Sequence, residues 1–199
     1  MVSDRRGQVF TLEAFVAAMI VLSSVAFALS VTAATPLSAS TSNQYVEIQQ
    51  AALGGGLLGT AHATNVLHPT LLGWDDALGR FHGTSARGHH VTCAFDTAFG
   101  DLLESTIEDH GMACNVRVDY LTETGEVRHE HLVFLGEPSA NAVRVRTSVV
   151  LADDDVLRDA TGSPTTTRLV DALTYYAPDA APADRLYNVV VVEVVLWRA

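Results

Sequence analysis

The feature that most limits what this chain can fold into is a long apolar run close to its N-terminus. No charged residue lies between Glu13 and Glu47, and residues 14–34 are mostly alanine, valine, leucine, isoleucine and phenylalanine. Because an α-helix rises about 1.5 Å per residue, a helix over residues 10–34 would be long enough to cross a hydrocarbon core of about 30 Å. The sequence therefore predicts a transmembrane helix over residues 8–34.

Three kinds of segment contain such a run: a cleaved secretory signal, a plain single-pass anchor, and the N-terminal helix of an assembling subunit. A secretory signal has a shorter apolar region of about 7–15 residues and a small-x-small cleavage site. Residues 26–28 and 32–34 fit such a site. A secretory signal does not account for Glu13, however. Carboxylates within membrane helices usually have a partner or a function, so Glu13 favours the assembling subunit.

The residues at the start of this run resemble a known leader. Arg5, Arg6 and Gly7 are followed by the sequence FTLE over residues 10–13 and then by the apolar run. This pattern resembles the class III signal peptide of archaeal type IV pilin-like proteins. In that family a prepilin peptidase cuts after the glycine and leaves the apolar helix in place as both anchor and assembly element.

For this chain, the resemblance implies a leader peptide over residues 1–7, a cut between Gly7 and Gln8, and an assembly role for Phe10 and Glu13. It also implies a set of partners. These are the membrane, other pilin-like subunits, the prepilin peptidase, and the secretion ATPase with its platform machinery.

Charge predicts the orientation of the chain. Arg5 and Arg6 flank the apolar run, and positive residues beside a first membrane helix tend to remain cytoplasmic. The sequence therefore predicts a membrane-anchored protein with a cytoplasmic N-terminus and an extracellular head, at the cell surface or in a filament.

The overall composition indicates a salt-rich environment. All 12 basic residues are arginine, against 23 acidic residues, and the net charge is −11. An acidic, lysine-free surface suits molar salt, in which screening shortens the range of charge repulsion. We interpret this as a haloarchaeal source; the arginine-rich codons of a GC-rich genome are the alternative. Nucleic acid is not an expected partner, because no basic cluster follows the leader.

The rest of the chain predicts an α+β fold, in which an antiparallel β-sheet packs on helices. Residues 35–60 are predicted as a spacer with a break at Pro36, followed by an extracellular helix from Asn43 that the glycines at positions 54–56 interrupt. Residues 61–199 are predicted as the head domain.

Within the head, alternating apolar and polar residues predict strands over residues 116–120, 127–135 and 143–151. Residues 188–197 are apolar on both faces, which is typical of a strand inside a sheet. Helices are predicted between Thr97 and Gly111 and over residues 169–176.

Two cysteines bracket the first of these helices. Cys93 and Cys114 would close a loop of 21 residues, and a disulfide is one interpretation of the pair outside the cell. Two buried thiols are the other. The sequence contains no Cys-x-x-Cys motif, so it does not suggest a zinc ribbon or a thioredoxin-type site.

Histidines are the only candidates for chemistry. His129 and His131 are two residues apart on a predicted strand, so they point to the same face, where His89 or His90 would complete a metal site. The alternative interpretation is a solvated polar face of an edge strand, and it is the one we favour. Motifs for nucleophilic catalysis and nucleotide binding are absent from the sequence, so we expect no catalytic residue and no cofactor.

Taken together, these features predict a non-enzymatic pilin-like structural subunit of a filament, most consistent with a minor pilin or pseudopilin. The alternative is a signal-anchored extracytoplasmic domain that binds a ligand or partner and does not polymerise. An enzyme is the third hypothesis, and only His129 and His131 favour it.

Overall fold

The computed structural model describes residues 4–108 and 110–198, with side chains for residues 13–27, 45–107 and 110–198. The chain divides into two compact units, one up to Val46 and the other from Glu47 onwards. The division lies within the first helix, α1, which runs over Asp4–Ala63. We refer to the two parts as the N-terminal and C-terminal units.

After α1, the C-terminal unit contains two short helices, eight strands and one 3₁₀ turn in its described residues. In chain order they are α2 (Leu67–Leu71), β1 (Trp74–Asp75), β2 (Arg80–Phe81), α3 (Ala98–Glu108), β3 (Met112–Leu121), β4 (Val127–Val133), β5 (Val143–Ala152), β6 (Val156–Arg158), β7 (Pro164–Arg168), the 3₁₀ turn (Leu169–Asp171) and β8 (Leu186–Arg198).

The predicted membrane span is corrected by the structure. Among the described residues, no helix combines the length and the apolar character that crossing a bilayer requires, which is about 20 consecutive apolar residues. The transmembrane helix over residues 8–34 is therefore wrong, and so is the part of the fold class that depended on it. The predicted location, a membrane-anchored chain with a cytoplasmic N-terminus and an extracellular head, is wrong for the same reason.

Helix α1 also continues where the sequence predicts interruptions. It passes through Pro36 and through the glycines at positions 54–56 without a break. Gly54 is buried, and a Cβ atom there would lie 2.8 Å from Cγ2 of Val145 and 3.3 Å from Cδ1 of Leu196. The missing side chain at Gly54 therefore allows the last turns of α1 to approach the sheet closely.

This close approach leads to a stability prediction with a matched control. A Cβ at Gly56 has no heavy atom within 4 Å, so Gly56→Ala should raise the free energy of unfolding by about 0.5–1 kcal/mol through helix propensity. Gly54→Ala should lower it by about 1 kcal/mol, because overpacking in the core outweighs the same gain. Chemical denaturation of both variants measures the difference. A Gly54→Ala variant as stable as Gly56→Ala would contradict the packing.

A four-stranded sheet forms the centre of the C-terminal unit. Its strand order is β4-β3-β8-β5, and each neighbouring pair is antiparallel. Strand β8 therefore lies inside the sheet, as its two apolar faces predict. A β-bulge between Val116 and Arg117 shifts the register of β3 against β4.

The core lies on the inner face of this sheet. Val190, Val192 and Val194 of β8 are completely buried there. They share one hydrophobic cluster with side chains from the end of α1 and from α3, namely Leu57, Leu58, Ala61, Phe99, Leu103 and Ile107. Helix α3 begins after Thr97, whose hydroxyl accepts a hydrogen bond from the Gly100 backbone N–H at 3.0 Å.

Aromatic side chains fill the other part of the core. Trp74 packs edge-on against Phe81 and Tyr176, with ring centroids 5.1 and 5.5 Å apart. The hydroxyl of Tyr175 donates a hydrogen bond to the Leu71 carbonyl at 3.0 Å. The helix predicted over residues 169–176 is therefore replaced by a 3₁₀ turn and an irregular segment that delivers both tyrosines to this cluster.

Candidate functional site

The N-terminal unit presents one uncovered apolar surface, which we call the apolar segment (residues 14–27 of α1). Its large side chains are all at least 49% solvent-exposed: Phe15, Val16, Met19, Ile20, Val21, Leu22, Val25 and Phe27. Consecutive residues point in different directions around a helix, so these side chains surround the helix rather than form one stripe. A helix that is apolar all round is normally buried.

The polar atoms of the apolar segment are already satisfied. The hydroxyl of Ser23 donates to the Met19 carbonyl at 2.7 Å, and that of Ser24 donates to the Val21 carbonyl at 2.8 Å. Hydroxyls bonded within their own helix need no water partner, so burying this segment leaves no unmatched hydroxyl donor there. A shallow groove lined by Phe15, Val16, Met19, Ile20 and Ser23 lies on its surface. Four of these residues, Val16, Met19, Ile20 and Ser23, have the spacing of a hole that receives a side chain from a neighbouring helix.

The residues to which the pilin resemblance assigns a role lie near the start of α1. Gly7, Gln8 and Phe10 lie in the helical backbone of α1, and the side chains of Gln8 and Phe10 are outside the described part of the chain. Glu13 is described, and its carboxylate is exposed at the N-terminal border of the apolar segment. The cleavage and assembly roles therefore stay predictions.

The two cysteines are joined in a disulfide. Cys93 and Cys114 have Cα atoms 6.1 Å apart, and both are buried. The bond connects the loop before α3 to strand β3, so it fixes that loop against the sheet.

The histidines of β4 gather with one from the loop. The ring centroid of His131 lies 5.5 Å from that of His129 and 6.3 Å from that of His89. Burial, followed by the charges of His129 and His89, lowers the pKa of His131. Within the described residues, no three His, Cys, Asp or Glu side chains are arranged to hold a metal ion.

The C-terminal unit also contains a cavity of about 730 Å³. Its walls come from the α2–β1 connection, β2, the loop before α3, the first turn of α3, and the β6–β7 turn. His82, His90 and Arg158 line it beside Phe95. The ring of His90 stacks on Phe95 at 4.5 Å, and its backbone pairs with β4 through hydrogen bonds to Leu132 and Phe134.

The hydrogen bonds of the cavity walls are largely internal. His82 Nε2 donates to the Arg158 carbonyl at 3.0 Å, and Arg158 Nη1 donates to the Gly162 carbonyl at 2.8 Å. Arg158 Nε is buried without a hydrogen-bond partner among the described atoms. Burial, and to a lesser extent the charge of His89, lowers the pKa of His90. The cavity can thus offer the imidazole of His90 to a polar ligand beside the apolar ring of Phe95.

One comparison with known proteins covers almost all of the chain. A family described as a family of unknown function, DUF7288, matches residues 6–196. The chain belongs to this family. No curated protein and no solved structure matched it.

The DUF7288 match includes both units. It begins at Arg6, before the apolar segment, and ends at Leu196 within β8. The apolar segment and the C-terminal unit therefore belong to one family pattern and are to be explained together.

Sequence reasoning singled out neither His82 nor Arg158. They are 76 positions apart, and only the packing of the β6–β7 hairpin beside β2 brings the His82 ring to the Arg158 carbonyl. A local motif carries no signal for such a pair. The sequence does show His89 and His90 as neighbouring histidines. It does not show that the His90 backbone pairs with β4 while the His89 ring lies beside His131.

Proposed function

We propose that this chain is a pilin-like structural subunit, a minor pilin or pseudopilin, that assembles with copies of itself through the apolar segment of α1. The observation that carries the proposal is the exposure of every large apolar side chain described between Phe15 and Phe27. Exposed apolar surface of this extent marks an interaction site in most proteins. The acidic, lysine-free composition supports a haloarchaeal source for the filament system.

Copies of the same helix are the occupant that fits best. An apolar surface on all sides of a helix needs neighbours on all sides, and a bundle of identical helices provides them. The hole formed by Val16, Met19, Ile20 and Ser23 would receive a side chain such as Leu22 from a neighbouring helix. The burial of each large apolar side chain would contribute about 1.5–3 kcal/mol.

Glu13 supplies specificity in this mechanism. A carboxylate that becomes buried at the border of a helix bundle is destabilising unless it is paired. The N-terminal amine that prepilin peptidase would expose on a neighbouring subunit is the proposed partner. Such a pair sets the register between helices, since only one axial offset brings the two charges together.

The proposal predicts that Glu13→Leu lowers incorporation into filaments by about 10-fold or more, because a charged hydrogen bond worth about 1.5–3 kcal/mol is lost. Glu47→Leu is the matched control, since Glu47 is also an exposed glutamate of α1 but lies in the C-terminal unit. The measurement is the amount of each variant in sheared filaments relative to its total cellular amount.

The two variants separate the outcomes. Loss of Glu13→Leu alone from filaments supports the pairing. Equal incorporation of both variants at the level of the unmodified chain would remove the assigned role of Glu13, and the absence of the unmodified chain from any filament would refute the assembly itself.

A ligand-binding domain that does not polymerise is the second candidate function. The cavity beside His82, His90 and Arg158 favours it, because a concave site of this volume with a few polar groups is typical of small-molecule sites. The filament measurement also discriminates here, since this candidate requires that the chain remain unassembled.

A further inference from the structure

The cavity of the C-terminal unit has walls that are joined to one another before any ligand binds. The backbone N–H of His82 donates to the Gly73 carbonyl at 3.0 Å, and that of Arg158 donates to the Leu72 carbonyl at 2.8 Å. On another side, the disulfide fixes the loop before α3 against β3. A site whose walls are already ordered loses little conformational entropy when a ligand binds. The cavity is therefore suited to a small molecule without rearrangement of the backbone.

The side chains that line this cavity carry an excess of negative charge. They include three carboxylates, those of Asp96, Asp101 and Asp159, and one guanidinium, that of Arg158. The two lining histidines add no charge as neutral imidazoles. Even with Arg158 counted in full, three negative charges and one positive charge leave an excess of two negative charges. A concave surface lined mainly by charges of one sign concentrates ions of the opposite sign.

Two of these carboxylates are available to a ligand. Asp96 and Asp101 form no hydrogen bond and no ion pair within the described part of the chain. Because the side chains of a helix tilt towards its N-terminus, that of Asp101 lies over the turn that contains Thr97 and Ala98, which also line the cavity. Asp159 differs, because its Oδ1 already accepts three hydrogen bonds from its own turn.

Aromatic and apolar surface lies next to these carboxylates. Phe95 directly precedes Asp96, and its ring is stacked on that of His90, with the centroids 4.5 Å apart. Phe81 and Leu132 line the cavity as well. Aromatic rings attract ammonium groups through the negative potential of their faces, and quaternary ammonium ligands are recognised in this way. The cavity thus combines negative charge with surface that accommodates carbon substituents.

We propose that this cavity binds a small organic cation, an ammonium group with an apolar substituent. Asp96 and Asp101 are its charge partners, and the ring of Phe95 lies beside its apolar part. An anion is the alternative, because the N-terminus of a helix such as α3 attracts negative charge. Asp101 in the first turn of α3 already supplies that charge. A bound anion would therefore be repelled by the carboxylate at the same helix end.

This binding uses the same cavity as the second candidate function and deepens it by naming the ligand class. It does not require the chain to remain unassembled, because every lining residue belongs to the C-terminal unit, whereas assembly uses the apolar segment. A subunit of a filament could bind the cation as well as a free chain.

Isothermal titration calorimetry of the full-length chain with benzyltrimethylammonium chloride tests the proposal. Benzyl alcohol and sodium phenylacetate are the controls at the same ionic strength, because they keep the aromatic ring but are neutral and anionic. We expect the cation to bind at least about 10-fold more tightly than either control, because it alone gains the attraction of two carboxylates and of the ring. Equal affinities, tighter binding of phenylacetate, or no binding of the cation would overturn the proposal.

A pair of double variants shows whether the attraction is local to the cavity. Asp96→Asn/Asp101→Asn should weaken the binding of benzyltrimethylammonium at least about 5-fold, because it removes both charge partners and keeps the size of the side chains. Glu104→Gln/Glu123→Gln is the matched control, since it removes two exposed carboxylates that do not line the cavity. Equal weakening by both double variants would mean that net charge alone attracts the cation, and would overturn the assigned site.

A variant of the apolar segment separates this proposal from the assembly of α1. Ile20→Asp should bind benzyltrimethylammonium with unchanged affinity, because Ile20 does not line the cavity. A loss of affinity in this variant would place the bound cation at the apolar segment and overturn the cavity site. The titration thus reports on the cavity and the filament measurement on the apolar segment, so failure of one is distinguishable from failure of the other.

Discussion

Ile20→Asp should abolish assembly of the full-length chain, reducing the amount in sheared filaments by about 100-fold or more. Ile20 is 64% exposed at the centre of the apolar segment and lines the groove with Val16 and Met19. Once neighbouring helices surround this position, an unpaired carboxylate there loses its hydration and costs several kcal/mol. Each 1.4 kcal/mol is a factor of ten in an association constant.

Ile48→Asp is the matched control for this variant. Ile48 is an isoleucine of the same helix with nearly the same exposure, 66%, but it belongs to the C-terminal unit. It should assemble normally, and the near-ultraviolet circular dichroism of both variants should match that of the unmodified chain. Assembly of Ile20→Asp at the normal level would show that the apolar segment is not the assembly surface. Loss of both variants alike would point to a general effect of charge on α1.

The sequence predicts the sheet well because its signals are local. The two-residue alternation of β3 and β5 and the double apolar pattern of β8 follow directly from where side chains point on a strand. Helix α3 is predicted for the same kind of reason. Phe99, Leu103 and Ile107 recur at helical spacing and are all buried.

The predictions that fail depend on contacts distant in sequence. Glycines at positions 54–56 indicate a helix end when considered alone. Helix α1 nevertheless continues, because Gly54 allows it to pack closely against the sheet. Leu169 and Tyr176 have helical spacing, yet Tyr176 joins an aromatic cluster with Trp74 and Phe81 from another part of the chain. Tertiary packing outweighs local propensity at both places.

The candidate sites divide in the same way. His129 and His131 face one side of β4, as their spacing predicts, but the described residues provide no complete ligand set around them. The cavity was not predicted. It arises from the packing of separate hairpins and loops, which a single sequence does not encode in any short motif.

Removal of the disulfide should lower the free energy of unfolding of the C-terminal unit by about 3 kcal/mol, because the unfolded chain regains the conformational entropy that a crosslink around a loop of this length removes. The bond links Cys93 to Cys114 across 21 positions. For a unit of this size, about 3 kcal/mol corresponds to a fall in Tm of about 6–12 °C. Thermal unfolding of the Cys93→Ala/Cys114→Ala variant measures this fall in Tm. The same variant with added reductant is the control, because reductant should change only the unmodified chain.

The loop that holds Thr92 and Phe95 against the cavity is fixed by this bond, so it should exchange its amide protons faster in the variant. A Tm within 2 °C of the unmodified chain, together with unchanged exchange in residues 91–97, would mean that the packing around Phe95 holds the loop without the covalent link.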